Sequence, residues 1–70
     1  MQRNEAISYL KALLGTDIDI SPDSISFEEQ DDRKTVKIRM KIQEREKIKD
    51  IARKRSLEVQ EERDSIIIYG

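Results

Sequence analysis

Apolar residues recur at spacings of three and four near the start of the chain. They are Ala6, Ile7, Leu10, Leu13 and Leu14. This spacing places them along one side of an α-helix. Asn4 has a side chain suited to an N-cap and Gly15 is a typical helix stop, so a first helix is predicted between them. The acidic segment that follows, TDIDISPDS, contains the only proline of the chain and predicts a loop.

Two segments with alternating apolar and polar residues come next, SISFEE and TVKIRMKI. Alternation with a period of two is typical of β-strands. A turn centred on residues 31 and 32 would place Phe27 opposite Val36 and Ile25 opposite Ile38, with both apolar sets on one face. The pattern therefore predicts an antiparallel hairpin.

The second half of the chain repeats the order of a helix and a hairpin. A second helix is predicted from about Gln43 to Arg55. Its apolar side consists of Ile48, Ile51 and Ala52. In SLEVQEERDSIIIYG, a turn at residues 62 and 63 would place Val59 opposite Ile66 and again collect the apolar residues on one face.

The predicted element order is α-β-β-α-β-β. Each helix and each hairpin has one apolar side, and a sheet covered by helices on one face buries all of them together. A chain of 70 residues is long enough for one such unit with a thin core. We therefore expect a single α+β domain over residues 1–70, a two-layer sandwich with a four-stranded, mainly antiparallel sheet and two helices on one face.

The composition argues against catalysis. The chain has no cysteine and no histidine, so it lacks a thiolate nucleophile and an imidazole base. Its only glycines, Gly15 and Gly70, do not form a phosphate-binding loop.

The element order resembles the core topology of the LAGLIDADG homing endonucleases. The segment YLKALLGTDID, however, lacks that motif's small-residue packing and its acid-glycine ending. No enzymatic activity and no cofactor are expected.

One acidic segment, DIDISPDSISFE, has the length of a calcium-binding loop. Asp17, Asp19, Ser21 and Glu28 stand at its ligand positions one, three, five and twelve. The sixth position requires glycine for a sharp turn and is Pro22. The sequence therefore predicts no metal site.

Charges are segregated along a chain whose net charge is only −1. Residues 1–32 carry two basic and eight acidic side chains, residues 33–55 carry eleven basic and three acidic ones, and residues 56–70 carry one basic and four acidic ones. The basic middle third comprises the second strand and the second helix. A basic region of this kind indicates an anionic partner such as nucleic acid.

Alternate residues of the second strand form the candidate nucleic-acid site. Lys37, Arg39 and Lys41 would project from the sheet face opposite the helices. Ile67 and Tyr69 of the last strand would share this solvent-facing side. Cations that pair with phosphates, beside an aromatic ring that stacks on a base, suit RNA or single-stranded nucleic acid.

A stripe on the second helix would extend this site. Arg45, Lys49 and Arg53 lie beside its apolar side and would contact phosphates at the edge of the sheet. Glu46 and Asp50 lie at spacings of three and four from the basic residues, so pairing within the helix explains part of the stripe. Contacts to the nucleic-acid backbone predict little sequence preference.

The same sheet face has an alternative interpretation. Glu28 and Glu58 would lie across the sheet from the cations of the second strand and pair with them. Ile67 and Tyr69 would then be covered by a second copy of the chain. Two functions stay open: a non-enzymatic module that binds RNA or single strands, and a homodimeric or adaptor module that binds protein.

The start of the chain, MQRNEAISYL, lacks the apolar core of a signal peptide. No apolar run approaches the roughly 20 residues that span a bilayer. A cytoplasmic protein that does not contact a membrane is expected.

Overall fold

Two helices and four strands make up the described part of the chain, which is residues 1–30, 34–42 and 44–70 of a computed structural model. The elements are α1 Arg3–Leu14, β1 Ile25–Glu29, β2 Val36–Met40, α2 Glu46–Lys54, β3 Glu58–Glu61 and β4 Ile66–Tyr69. A short 3-10 turn at Pro22–Ser24 leads into β1. The order α-β-β-α-β-β confirms the predicted α+β fold.

The four strands form one antiparallel sheet in the order β1-β2-β4-β3. The strands β2 and β4 are central, and β1 and β3 are its edges. Helix α1 packs against β2 and α2, and α2 packs against β3. The residues that are fully buried between the layers are Ala6, Tyr9, Leu13, Ile38, Met40, Ile48, Ala52, Ile66 and Ile68. The helices therefore cover β2, β4 and β3 better than they cover β1.

The first hairpin has a register two residues away from the predicted one. Phe27 lies opposite Ile38 rather than Val36, and every other pair is shifted equally. The Gln30 N–H donates to the Thr35 carbonyl at 2.9 Å, so the connection is longer than a tight two-residue turn. Two-residue hairpin turns favour pairs such as Asn-Gly or Asp-Gly, and no glycine stands between residues 30 and 35. A shift of two keeps the same side chains on the buried face.

The second hairpin is shifted in the same way. Val59 lies opposite Ile68 rather than Ile66. The Glu62 N–H donates to the Ser65 carbonyl at 2.8 Å, so the turn lies one residue later than predicted. Apolar alternation specifies which face a strand buries, but an even shift of register leaves that face unchanged.

The ends of the helices differ from the prediction in detail. Asn4 is not the cap of α1, because the N-cap is Gln2 and Asn4 lies in the first turn. The Asn4 side chain accepts a hydrogen bond from the Glu5 N–H at 3.0 Å. Gly15 follows the last helical residue as predicted. The predicted start of the second helix at Gln43 and the predicted turn centre at Asp31 and Asp32 lie outside the described residues.

Met1 joins the ends of the two central strands. Its carbonyl accepts the Val36 N–H at 2.8 Å. Its ammonium group donates to the carbonyls of Val36 at 3.2 Å and Gly70 at 2.8 Å. Met1 is buried, so the first residue acts as a small extension of the sheet between β2 and β4.

Candidate binding surfaces

Two of the three predicted cations, Lys37 and Arg39, lie on the sheet face opposite the helices, which we call the open face. Val36, Ile38 and Met40 are buried, and the intervening residues Lys37 and Arg39 project to the other side. Lys37 and Arg39 are half-buried, whereas Lys41 follows the last residue of β2 and is exposed. The predicted placement is therefore reproduced for Lys37 and Arg39.

Acidic side chains from the neighbouring strands hold Arg39 and Lys37. The Arg39 guanidinium donates to the Glu28 carboxylate at 2.5 Å, to Ser65 Oγ at 3.1 Å, and to the Glu62 carboxylate. Lys37 Nζ lies 3.8 Å from Glu28. These hydrogen bonds and charges hold the pKa of Glu28 below its ordinary value and raise the pKa of Arg39. A phosphate that approached either cation would meet the Glu28 carboxylate beside it.

The alternative interpretation, in which Glu28 and Glu58 form ion pairs with the cations of β2, is confirmed in part. Glu28 pairs with Lys37 and Arg39 as expected. Glu58 has no ion pair among the described residues, and the second acid on Arg39 is Glu62. The register explains the difference, because the later turn brings Glu62 beside Ser65 and within reach of the guanidinium.

The apolar part of the open face is not exposed as predicted. Ile67 does turn away from the core, but only 3% of its surface is accessible. It lies between Arg39 and Gln60 in the sheet, and long polar side chains beside an apolar residue cover it with their methylene groups. Tyr69 is half-buried. The prediction that Ile67 is exposed is therefore wrong, and the prediction that a second copy covers the open face stays a prediction.

Two of the three predicted residues on the second helix hold α2 to the second hairpin. Arg45, the N-cap of α2, donates to the carbonyls of Ile42 at 3.3 Å and Glu62 at 3.0 Å. The Glu61 carboxylate lies 3.1 Å from Lys49 Nζ and 3.5 Å from Arg45 Nη1. The hydrogen bond from Lys49 contributes most to lowering the pKa of Glu61, and Arg45 adds to it. Both cations stabilise the contact between α2 and β3.

Arg53 is the predicted cation of α2 that stays accessible, with 75% of its side chain exposed and Asp50 3.4 Å away. It lies on the helix side of the sheet, whereas Lys37, Arg39 and Tyr69 lie on the open face. The sheet therefore separates Lys37, Arg39 and Tyr69 from Arg53, whereas Lys41 and Arg45 meet at one end of the molecule.

One end of the molecule gathers cations from three elements. Lys41, Arg45 and Arg63 line a shallow depression of about 290 Å³ together with Ile42 and Asp64. The sequence did not single out Arg63, because a lone basic residue in a turn is usually just solvated. Arg45 is already bonded to the backbone of the β3–β4 turn, so Lys41 and Arg63 are the accessible cations here.

Sequence reasoning missed a group of exposed apolar residues. Ile7 is 43% exposed, Leu14 is 53% exposed and Phe27 is 37% exposed. Ile7 and Leu14 are seven residues apart and share one side of α1. Phe27 lies on the helix-covered face of the sheet, but on the edge strand β1. We call these three residues the β1-side surface.

The position of α1 explains why these residues are exposed together. Ser8 Oγ accepts a hydrogen bond from Arg55 at 3.1 Å, and the Tyr9 hydroxyl donates to the Ile48 carbonyl at 2.9 Å. The side of α1 with these two residues therefore faces α2. Ile7 and Leu14 lie on the opposite flank of α1. Because α1 packs on β2 and α2 packs on β3, this flank faces the side of the sheet where β1 is the edge. Knowledge of the strand order was needed to find this surface.

No three metal-ligating side chains lie together in the part of the chain that the structure describes. Neither described helix is long and apolar enough to cross a membrane. Comparisons with protein-family models, with curated proteins and with solved structures find no match for this chain.

Proposed function

We propose that the protein is a small non-enzymatic binding module that holds another polypeptide on its β1-side surface. The observation that carries this proposal is the exposure of Ile7, Leu14 and Phe27 on one side of a small molecule. Single exposed apolar residues are common, but several on one side favour a protein contact. The lack of histidine and cysteine supports a role without catalysis.

The charges of the open face also favour a protein partner over nucleic acid. Glu28 and Glu62 already pair with the central cation, Arg39. A nucleic-acid strand laid across this face would meet carboxylates as well as ammonium and guanidinium groups, and affinity for phosphates depends on net positive charge. This arrangement weakens the case for the open face as a platform for single strands.

Binding to nucleic acid is the second candidate, and α2 supports it. Residues 44–55 carry six basic and three acidic side chains, and Arg53, Lys54 and Arg55 are exposed at the end of the helix. These residues would contact phosphates, so we expect RNA or single strands to bind with little base preference and a strong dependence on salt.

Site-specific photocrosslinking separates the two candidates. A photoreactive benzoylphenylalanine replaces Phe27 in one version of the full chain and Lys54 in another, and each is irradiated in cells that produce the protein naturally. We expect position 27 to form covalent adducts that protease removes and ribonuclease does not. Position 54 serves as the matched exposed control and should form none.

Two results would overturn the proposal. Absence of any adduct at position 27 would exclude the β1-side surface as a contact. Adducts at position 54 that are sensitive to nuclease, with none at position 27, would replace the proposal by the nucleic-acid candidate.

A further inference from the structure

The edge strand β1 has backbone groups that the sheet does not use. The Lys41 N–H donates to the Ser24 carbonyl and the Gln30 N–H donates to the Thr35 carbonyl, both at 2.9 Å. Hydrogen-bonded pairs alternate along an antiparallel ladder, so the even-numbered residues of β1 bond to β2. The N–H and carbonyl groups of Phe27 and Glu29 consequently point away from the sheet.

Ile25, the first residue of β1, completes this edge. Its N–H donates to the Pro22 carbonyl in the 3-10 turn, while its carbonyl points outward like that of Phe27. The edge thus offers an extended partner donors at residues 27 and 29 and acceptors at residues 25, 27 and 29. The exposed Phe27 ring lies on the same strand, so backbone and side chain together fit a β-strand as the occupant.

The opposite edge of the sheet differs. On β3, Val59 is half-buried and Glu61 forms ion pairs with Lys49 of α2 and with the N-cap residue Arg45. A charged side chain on the inner face of an edge strand is a common protection against added strands. The strand β1 presents an aromatic ring where β3 presents this ion pair, so β1 is the edge suited to pairing.

Charge and strand length together select one symmetric way to pair β1 with a second β1. An antiparallel pair centred on Glu28 or on Glu29 would place like charges directly opposite each other. A pair centred on Ser26 or on Ile25 would leave part of the strand Ile25–Glu29 without a partner in the second strand. A pair centred on Phe27 uses all five residues of β1 and sets Ile25 against Glu29 and Ser26 against Glu28, so no two charges of the strand lie directly opposite each other.

We propose that two copies of the chain join through β1, antiparallel and centred on Phe27, into one continuous eight-stranded sheet with all helices on the same face. The Phe27 backbone groups bond reciprocally, and each Glu29 N–H donates to the Ile25 carbonyl of the second copy. The two Phe27 rings meet at the two-fold axis, with Ile7 and Leu14 of each copy on the flanks beside them. Such a contact closes on itself and gives a dimer rather than a filament. This inference rests on the proposed function, since it names the polypeptide that the β1-side surface holds.

A matched pair of variants at residue 29 tests this geometry. Glu29→Pro removes an N–H that β2 does not use, and proline is tolerated on edge strands. Glu29→Ala keeps the N–H and removes the same carboxylate. Analytical ultracentrifugation from micromolar to millimolar protein should show dimers for the wild type and Glu29→Ala and monomers for Glu29→Pro, with circular dichroism confirming that all three fold.

An isotope-filtered NMR spectrum of mixed labelled and unlabelled wild-type protein supplies a test that needs no variant. Ser26 and Glu28 of the second copy form a non-hydrogen-bonded pair in the proposed ladder, and their Cα atoms should be about 4.5 Å apart. We expect an intermolecular NOE between their Hα atoms. The inference is overturned by a wild type that stays monomeric at millimolar concentration, by a dimer without this NOE, or by a dimer that survives Glu29→Pro.

The two proposals can fail separately. A monomeric wild type whose position 27 still crosslinks to a different protein would end the second-copy inference and leave the β1-side surface as a binding surface. A lack of any crosslink at position 27 would end both.

Discussion

Among single residues, Tyr9 makes the most specific contact in the core. It is fully buried, and its hydroxyl donates to the Ile48 carbonyl of α2 at 2.9 Å. Burial disfavours the charged phenolate and raises the pKa of Tyr9 well above its ordinary value, while the nearby Arg55 acts weakly in the opposite direction. Tyr9 therefore stays neutral and acts as a fixed donor between the two helices.

Removing this donor should cost a measurable part of the stability. We expect Tyr9→Phe to lower the free energy of unfolding by about 1 kcal/mol, the usual net value of a hydrogen bond in a folded protein. Urea denaturation followed by circular dichroism measures it. Tyr69→Phe is the control, because the Tyr69 hydroxyl has no hydrogen bond among the described residues and its removal should cost almost nothing. Equal losses in both variants would contradict the assigned role.

The residues of the open face show which side-chain properties the sequence predicts and which it does not. Alternation correctly predicted that Lys37 and Arg39 face away from the core and that Ile67 shares their side. It did not predict that Ile67 is covered, because its accessibility depends on where Arg39 and Gln60 place their long side chains. The side of the sheet to which a side chain points follows from the two-residue period of its strand. Its accessible surface depends on the residues of the neighbouring strands, and these are known only once the strand order is known.

Among the elements, helix α2 is followed by a serine whose backbone conformation is strained for a residue with a side chain. Ser56 has a φ of 58°, in the left-handed region that glycine adopts without cost. The turn is held by hydrogen bonds from the Ser56 N–H to the Arg53 carbonyl at 3.1 Å and from the Leu57 N–H to the Ala52 carbonyl at 2.8 Å. These bonds direct the chain from α2 into β3, so the strain is tolerated for the sake of the connection.

Glycine at this position should therefore stabilise the protein. We expect Ser56→Gly to raise the free energy of unfolding by about 1 kcal/mol, because a left-handed conformation costs a residue with a Cβ roughly that amount. Ser8→Gly, in the middle of α1, is the control and should lower it by at least about 0.5 kcal/mol, since glycine weakens helix interiors and the variant also loses the hydrogen bond from Arg55. Thermal unfolding of the two variants measures both changes in stability. A loss of stability in Ser56→Gly would show that the serine side chain is needed at this position.

The hairpins show which properties of an element a sequence specifies. Both were predicted as pairs with the correct buried faces, and both registers were wrong by two residues. Burial of the apolar set forbids a shift by one residue but not by two. The choice between even shifts depends on turn geometry, which sequences without Asn-Gly or Asp-Gly signals leave open.

For the whole molecule, the apolar pattern was sufficient to predict two helices on one face of a four-stranded sheet. It could not predict the order β1-β2-β4-β3, because several orders bury the same side chains. That order leaves β1 as an edge beyond the helices and exposes Phe27. The candidate binding surfaces thus follow from topology, which explains why the sequence located the charges but missed the β1-side surface.

Ion pairs that link distant elements should make the whole molecule sensitive to acid. Glu28 of β1 is held by Arg39 of β2, and Glu61 of β3 is held by Lys49 of α2. Both carboxyl groups have a folded-state pKa below the ordinary value of 4.5. The unfolded chain therefore binds more protons between the two pKa values. The stabilisation is complete above the ordinary value and is lost as the pH falls through the folded pKa.

Replacing the two carboxylates should reduce the dependence of the melting temperature on pH. We expect Glu28→Gln combined with Glu61→Gln to lower the melting temperature at neutral pH and to reduce its further fall between about pH 5 and pH 3. Glu58→Gln is the control, because Glu58 lies on the open face without an ion pair among the described residues, and it should keep the wild-type slope. Differential scanning calorimetry across this range gives the three slopes. If the double variant fell as steeply as the wild type, other carboxyl groups would have to account for the acid sensitivity, and the links between β1 and β2 and between α2 and β3 would contribute little to stability.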